Sequence, residues 1–89
     1  MGFIVSSGEM TYPNPGFANG KRLDWCYRDA QDCGQPAADA WCKTKGYNRA
    51  VHFIKAVDIG VSSPTQVIST GTVCNQSYCD GFSSITCGP

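Results

Sequence analysis

The chain has 89 residues, with seven basic and seven acidic side chains, six cysteines and no net charge. Balanced charge argues against a nucleic-acid or anionic-membrane surface, since both call for a basic patch. Nothing approaches the ~20 consecutive apolar residues of a membrane-spanning helix, and a chain this short builds one domain whose core is marginal without staples.

Residues 1–20 carry a single charge, Glu9, and no cysteine. Phe3, Ile4 and Val5 form a strand-like apolar tripeptide, which Met10-Thr11-Tyr12 extends. Ser6 to Glu9 ends the apolar run too early for a signal peptide, so the chain is expected to be a mature form. Met1 to Ser6 fits the N-myristoylation pattern, but that modification is cytosolic and the cysteine content points to the opposite compartment. Pro13, Pro15, Gly16 and the pair Asn19-Gly20 read as a linker. Residues 1–20 are therefore expected to be an extended arm outside a disulfide-stabilised domain at 21–89.

Leu23 and Trp25 alternate with Asp24 and Cys26, which suggests a first core strand. Tyr27 to Asp32 is charged and reads as a loop. A helix is expected over about 36–45. Pro36 suits its first position, Asp39 lies early, and Lys43 and Lys45 lie in the last turn, all favourable to the dipole. Gly46 is a natural stop. Ala38, Trp41 and Cys42 make its inner stripe. A helix this short is not stable alone, so it must dock.

Residues 51–57 make the best strand, with Val51, Phe53 and Val57 on one face and His52, Ile54 and Ala56 on the other. Asp58 to Pro64 turns. Gln66 to Ser69 is a second strand, and Thr72 to Cys74 continues it past a bulge. Asn75 to Gly81 is a tight loop clamped by Cys74 and Cys79, and Phe82 to Cys87 is the last strand. The order defines an α+β domain, one short helix packed on an antiparallel sheet of three to four strands.

An even cysteine count in a short chain reads as a disulfide framework in an oxidising, extracellular compartment. Gaps of six, eight, four and seven residues separate Cys26, Cys33 and Cys42, and Cys74, Cys79 and Cys87. Zinc sites favour tighter matched pairs or histidines, and the single histidine, His52, is near none of them in sequence. No metal and no cofactor is expected. Six cysteines allow fifteen pairings, which sequence cannot decide. Cys42 points from the helix toward the sheet, so a strand cysteine such as Cys74 or Cys87 is its expected partner. A bridge closing about 15 residues or more would contribute about 3 kcal/mol.

Asp24-Trp25-Cys26, Cys33-Gly34 with Pro36 to Cys42, Cys74, and Cys79-Asp80-Gly81-Phe82 through Cys87 together resemble a group of short, uncharacterised, secreted cysteine-rich domains. The resemblance covers about residues 22–87. It implies a secreted stapled module, and it brings no activity and no functional residues with it.

No catalytic constellation is visible, and a non-enzymatic protein is expected. His52 stands alone on a strand and reads as a satisfied structural histidine. Asp24, Asp29, Asp32 and Asp80 show no acid–base spacing and read as solvated loop residues. Tyr78 sits in the clamped loop beside Asn75, Gln76 and Asp80, a set that suits a sugar face and its hydroxyls. Trp25, Trp41 and Phe82 are expected in the core. Asn75-Gln76-Ser77 is an N-glycosylation sequon.

Twelve of the fourteen charges lie in residues 21–58. Interfaces are depleted in charge, and an apolar arm can add as a strand to a neighbour's sheet edge. The leading expectation is thus a secreted assembly module. It would associate with copies of itself through Phe3, Ile4 and Val5, onto Gln66–Ser69 or Phe82–Thr86, and build a filament where the rotation does not close. The alternative is a soluble carbohydrate-binding or defence module acting through Tyr78 and Asp80.

Overall fold

The computed structural model describes residues 3–4 and 8–89, with side chains from residue 8 onward. Its elements are β1 (Phe3–Ile4), β2 (Met10–Pro13), β3 (Arg22–Leu23), β4 (Cys26–Arg28), β5 (Gln31–Cys33), α1 (Gln35–Thr44), β6 (Arg49–Ala56), β7 (Thr65–Gln66), β8 (Val73–Cys74) and β9 (Gly81–Gly88). The main sheet is antiparallel in the order β1-β2-β9-β6. One helix packed on it gives the α+β architecture the sequence implies.

The helix begins at Gly34, whose φ of 80° only glycine adopts at little cost. Pro36 lies in its first turn and Lys43 in its last. Gly46 ends it with φ 89°, and the amide of Tyr47 closes back on the carbonyl of Cys42 at 3.1 Å. Ala37, Ala38, Trp41 and Cys42 are buried, facing Ala50, Ile85 and Cys87 of the sheet. Cys42 bonds to Cys87, one of the two partners its direction allowed. The bridge spans 45 positions, worth about 4 kcal/mol by loop-closure entropy. Cys26–Cys33 and Cys74–Cys79 clamp local loops, with separations of 7 and 5, worth about 2 kcal/mol each on the same estimate. All six cysteines are paired, as suits an oxidising, extracellular-type environment. No helix among the described residues is long and apolar enough to cross a membrane.

Several local expectations need correction. Met10–Pro13 is no arm: it pairs along β9, the centre of the main sheet. Pro15 is fully buried, and the carbonyl of Gly16 accepts the Trp41 indole N–H at 2.9 Å. The linker is thus a wall of the core. Tyr27 to Asp32 is no open loop but the β4–β5 hairpin, with Cys26 opposite Cys33. Gln66–Ser69 is strand only at its first residue, because β7 ends there and residues 68–70 turn. In β6 a bulge between Ala50 and His52 shifts the alternation. Ala50 enters the core, and Phe53 packs against Phe82.

The strand-donation scheme changes too. The backbone of Phe3 and Ile4 pairs with Thr11 and Met10 of the same chain; Val5 lies outside the described residues. Phe82–Thr86 lies inside β9, flanked by β2 and β6, and Gln66 lies in β7, flanked by β3 and β8. Phe82–Thr86 and Gln66 thus lie in strands already paired on each side, and residues 67–69 lie outside any strand.

Candidate functional site

The cleft that gathers the candidate residues is built by two stapled loops. One wall is the β4–β5 hairpin, held by Cys26–Cys33, whose two-residue tip is Asp29-Ala30. Ala30 has φ 58°, a conformation uncommon for a residue with a Cβ. The other wall is residues 72–80, held by Cys74–Cys79. Within it Gln76 and Cys79 close a turn, the Cys79 amide donating to the Gln76 carbonyl at 3.1 Å. Trp25 and Val67 complete the lining, and the space between is about 430 Å³. That volume lies within the range of small-ligand sites.

Gly60 explains how the second loop is seated. A Cβ at Gly60 would lie 2.2 Å from the Gln76 carbonyl oxygen and 2.8 Å from Cys79 Sγ. The segment after β6 therefore presses backbone to backbone against the stapled turn. The Ile59 amide adds a hydrogen bond to the Cys79 carbonyl at 2.8 Å.

Tyr78 lines the cleft and is 71% exposed. It does not serve as a lid on the core. Asn75 and Gln76 line the same space, are exposed, and bond to each other at 3.1 Å. Asp80 also lines it, but its carboxylate is engaged with the chain itself. One oxygen accepts the Asp58 amide at 2.8 Å and the other faces Lys55 Nζ at 3.5 Å. Trp25, expected in the core, has two roles. Its ring meets Phe82 at 4.9 Å and Phe53 at 5.7 Å and carries Lys55 Nζ 4.8 Å from its centre. It is nevertheless half-buried and reaches the cleft.

The other candidates separate. Asp24 is not a solvated loop residue: it is 8% exposed, takes the Thr65 hydroxyl at 2.5 Å and the Cys26 amide at 3.0 Å, and so fixes the root of the hairpin. Asp32 pairs with Arg28 at 3.3 Å on the hairpin's exposed surface. Asp29 is exposed at the cleft rim. His52 is exposed on β6 and does not line the cleft, apart from the other candidates.

Sequence reasoning found Tyr78, Asn75, Gln76 and Asp80 but missed the opposite wall. The usable signal was the short Cys26–Cys33 spacing around a charged hexapeptide, which fits a stapled hairpin as well as a loop.

A second hollow of about 500 Å³ lies between residues 12–18 and the end of α1. Trp41 there is 3% exposed, and the chain's own Lys45 ammonium lies 5.0 Å from its ring and 5.9 Å from that of Tyr12. Its aromatic surface is already covered from within.

No family model matches the chain, and no curated protein or solved structure is significantly similar to it. The likeness to small secreted cysteine-rich domains therefore rests on the residue pattern alone.

Proposed function

We propose that the protein is an exported, non-enzymatic carbohydrate-binding module, and that the cleft between the two stapled loops is its site. The observation that carries this reading is Tyr78. A large aromatic ring, 71% exposed, stands on a loop whose backbone is fixed by a disulfide and by Gly60. A sugar ring offers apolar C–H bonds to such a face and hydroxyls to its neighbours. Asn75, Gln76, Thr72 and Asp29 supply donors and acceptors around it. Clamping both walls lowers the ordering cost of binding, which strengthens a small contact. An array of immobilised glycans, probed with wild type and Tyr78→Ala, tests the reading. Binding to at least one glycan class that weakens roughly tenfold or more in Tyr78→Ala is the expected result. An array on which wild type stays blank contradicts it.

Asn75 is exposed at the rim of this cleft, so in a host that reads its sequon an attached glycan would stand over the site. Mass spectrometry of native material before and after glycosidase treatment reads this directly. An unshifted mass dismisses the modification.

A second reading, self-assembly, keeps support from the sheet's ends. β1 and β6 are unlike edges, so joining one copy's β1 edge to another's β6 edge is a head-to-tail contact that grows into a filament where it does not close. Weighing against it are Arg49, Lys55 and two register shifts in β6, which are the usual means of blunting an edge. The Asp39 and Gln35 side chains also occupy the Ala50 amide and carbonyl. Sedimentation of the intact protein over rising concentration separates the readings. Growth into large species that Ile54→Pro abolishes supports assembly, and a monomer throughout ends it.

A further inference from the structure

The charge around the cleft is one-sided. Three of its lining residues are aspartates, Asp24, Asp29 and Asp80, and none of the described residues that line it is Lys, Arg or His. Chain neighbours account for two of the three. Asp24 is buried under the Thr65 hydroxyl and the Cys26 amide, and Asp80 is offset by Lys55. Arg28, the cation nearest in sequence to Asp29, is turned to Asp32 at 3.3 Å. Asp29 alone is exposed, lines the cleft and makes no ion pair among the described residues. It stands at the tip of a hairpin whose two ends are locked by a disulfide, so its backbone is held at the cleft rim before any ligand arrives.

From this placement we infer that the cleft takes a glucosamine-type amino sugar, with the ring on Tyr78 and the ammonium group toward Asp29. The inference rests on the carbohydrate reading and narrows it. An anionic sugar finds no Lys, Arg or His among the described lining residues, Lys55 being engaged by Asp80, and it meets the like charge of Asp29. A neutral sugar keeps the stacking and amide contacts alone. An amino sugar adds a charge-assisted contact at a site that remains partly solvated. Exposed ion pairs of this kind are worth a preference of about threefold to fivefold over the neutral analogue. N-acetylation removes the ammonium charge and keeps the ring, so the acetylated trimer is the matched neutral control.

Calorimetric titration at mildly acidic pH with three trimers tests it: glucosamine, N-acetylglucosamine and galacturonic acid, each against wild type, Asp29→Asn and Tyr78→Ala. The expected order for wild type is glucosamine, then N-acetylglucosamine about threefold to fivefold weaker, then galacturonic acid weakest. Asp29→Asn should bring the first two together, lowering the glucosamine affinity by more than the N-acetylglucosamine affinity, and Tyr78→Ala should weaken both. Equal affinity for all three in wild type, or a preference that survives Asp29→Asn, overturns the amino-sugar inference and leaves the carbohydrate reading in place. Absence of binding by all three trimers overturns the amino-sugar inference, and the glycan array then decides the broader reading.

Discussion

Asp39 of α1 reaches across to the edge of the sheet and accepts the Ala50 amide at 2.8 Å. The same carboxylate oxygen takes the Gln35 side-chain amide at 2.8 Å, and Gln35 in turn donates to the Ala50 carbonyl at 2.8 Å. The helix thus satisfies both backbone groups of a buried edge residue and anchors β6 where its bulge begins. Asp39→Ala leaves the Ala50 amide unpaired in a half-buried place, which costs about 1–3 kcal/mol. Denaturant unfolding of the oxidised protein should show that loss. A change within about 0.5 kcal/mol would mean that water replaces the carboxylate.

The three disulfides carry different loads. Replacing Cys42 and Cys87 together by Ala removes the one long-range bridge and should cost about 4 kcal/mol. Both residues are fully buried, so a packing loss adds to it. Replacing Cys74 and Cys79 should cost about 2 kcal/mol and leave the helix signal intact in circular dichroism, while loosening one wall of the cleft. Equal costs for the two pairs would contradict this division.

Gly60 tests how tightly the cleft wall is held. An added methyl group meets the Gln76 carbonyl oxygen and the Cys79 side chain, so in Gly60→Ala the stapled loop must shift. Overpacking of this kind typically costs about 1–3 kcal/mol. Ligand affinity should fall with it, although Gly60 does not line the cleft. A variant of unchanged stability and affinity would show that the loop yields freely.

Tyr12 supplies a pH dependence. Desolvation by burial, then the neighbouring Tyr47 phenol, raise its pKa above the ordinary 10.0. The folded state therefore holds its proton more tightly than the unfolded chain. Stability from this source is fully present below the ordinary tyrosine value and is lost as pH rises through the raised one. Tyr12→Phe should flatten that part of the alkaline decline in thermal midpoint. An identical decline in the variant would assign it elsewhere.

The sequence showed the helix clearly because its signals are local: Pro36, the Ala38/Trp41/Cys42 stripe and Gly46 all lie within one short segment. The direction of Cys42 and the clamp around Tyr78 were legible for the same reason. The place of Met10–Pro13 was not, because it depends on pairing with Thr86 and its neighbours at the far end of the chain. The strand character of Met10 to Tyr12 was legible, but the turn signals at Pro13 and Pro15 put that strand in an arm outside the domain. The β4–β5 hairpin was hidden by its charges. Arg28, Asp29 and Asp32 are polar because the hairpin projects into solvent, and its order comes from one covalent bond rather than from apolar alternation. Asp24 was misread because burial of a carboxylate depends on Thr65, 41 positions away. The cleft needs both hairpin and clamped loop, so only half of it could be read in advance.

Whether the two stapled loops bind sugar is read by amide chemical-shift mapping of the intact, oxidised protein during titration with the glucosamine trimer. Shifts confined to the cleft residues of 24–30, Val67 and 72–80 are expected, strongest at Tyr78 and Asp29, and reached only at roughly tenfold more sugar in Tyr78→Ala. Shifts centred on α1 or on the edge of β6, or none at saturating sugar, would contradict binding at these loops.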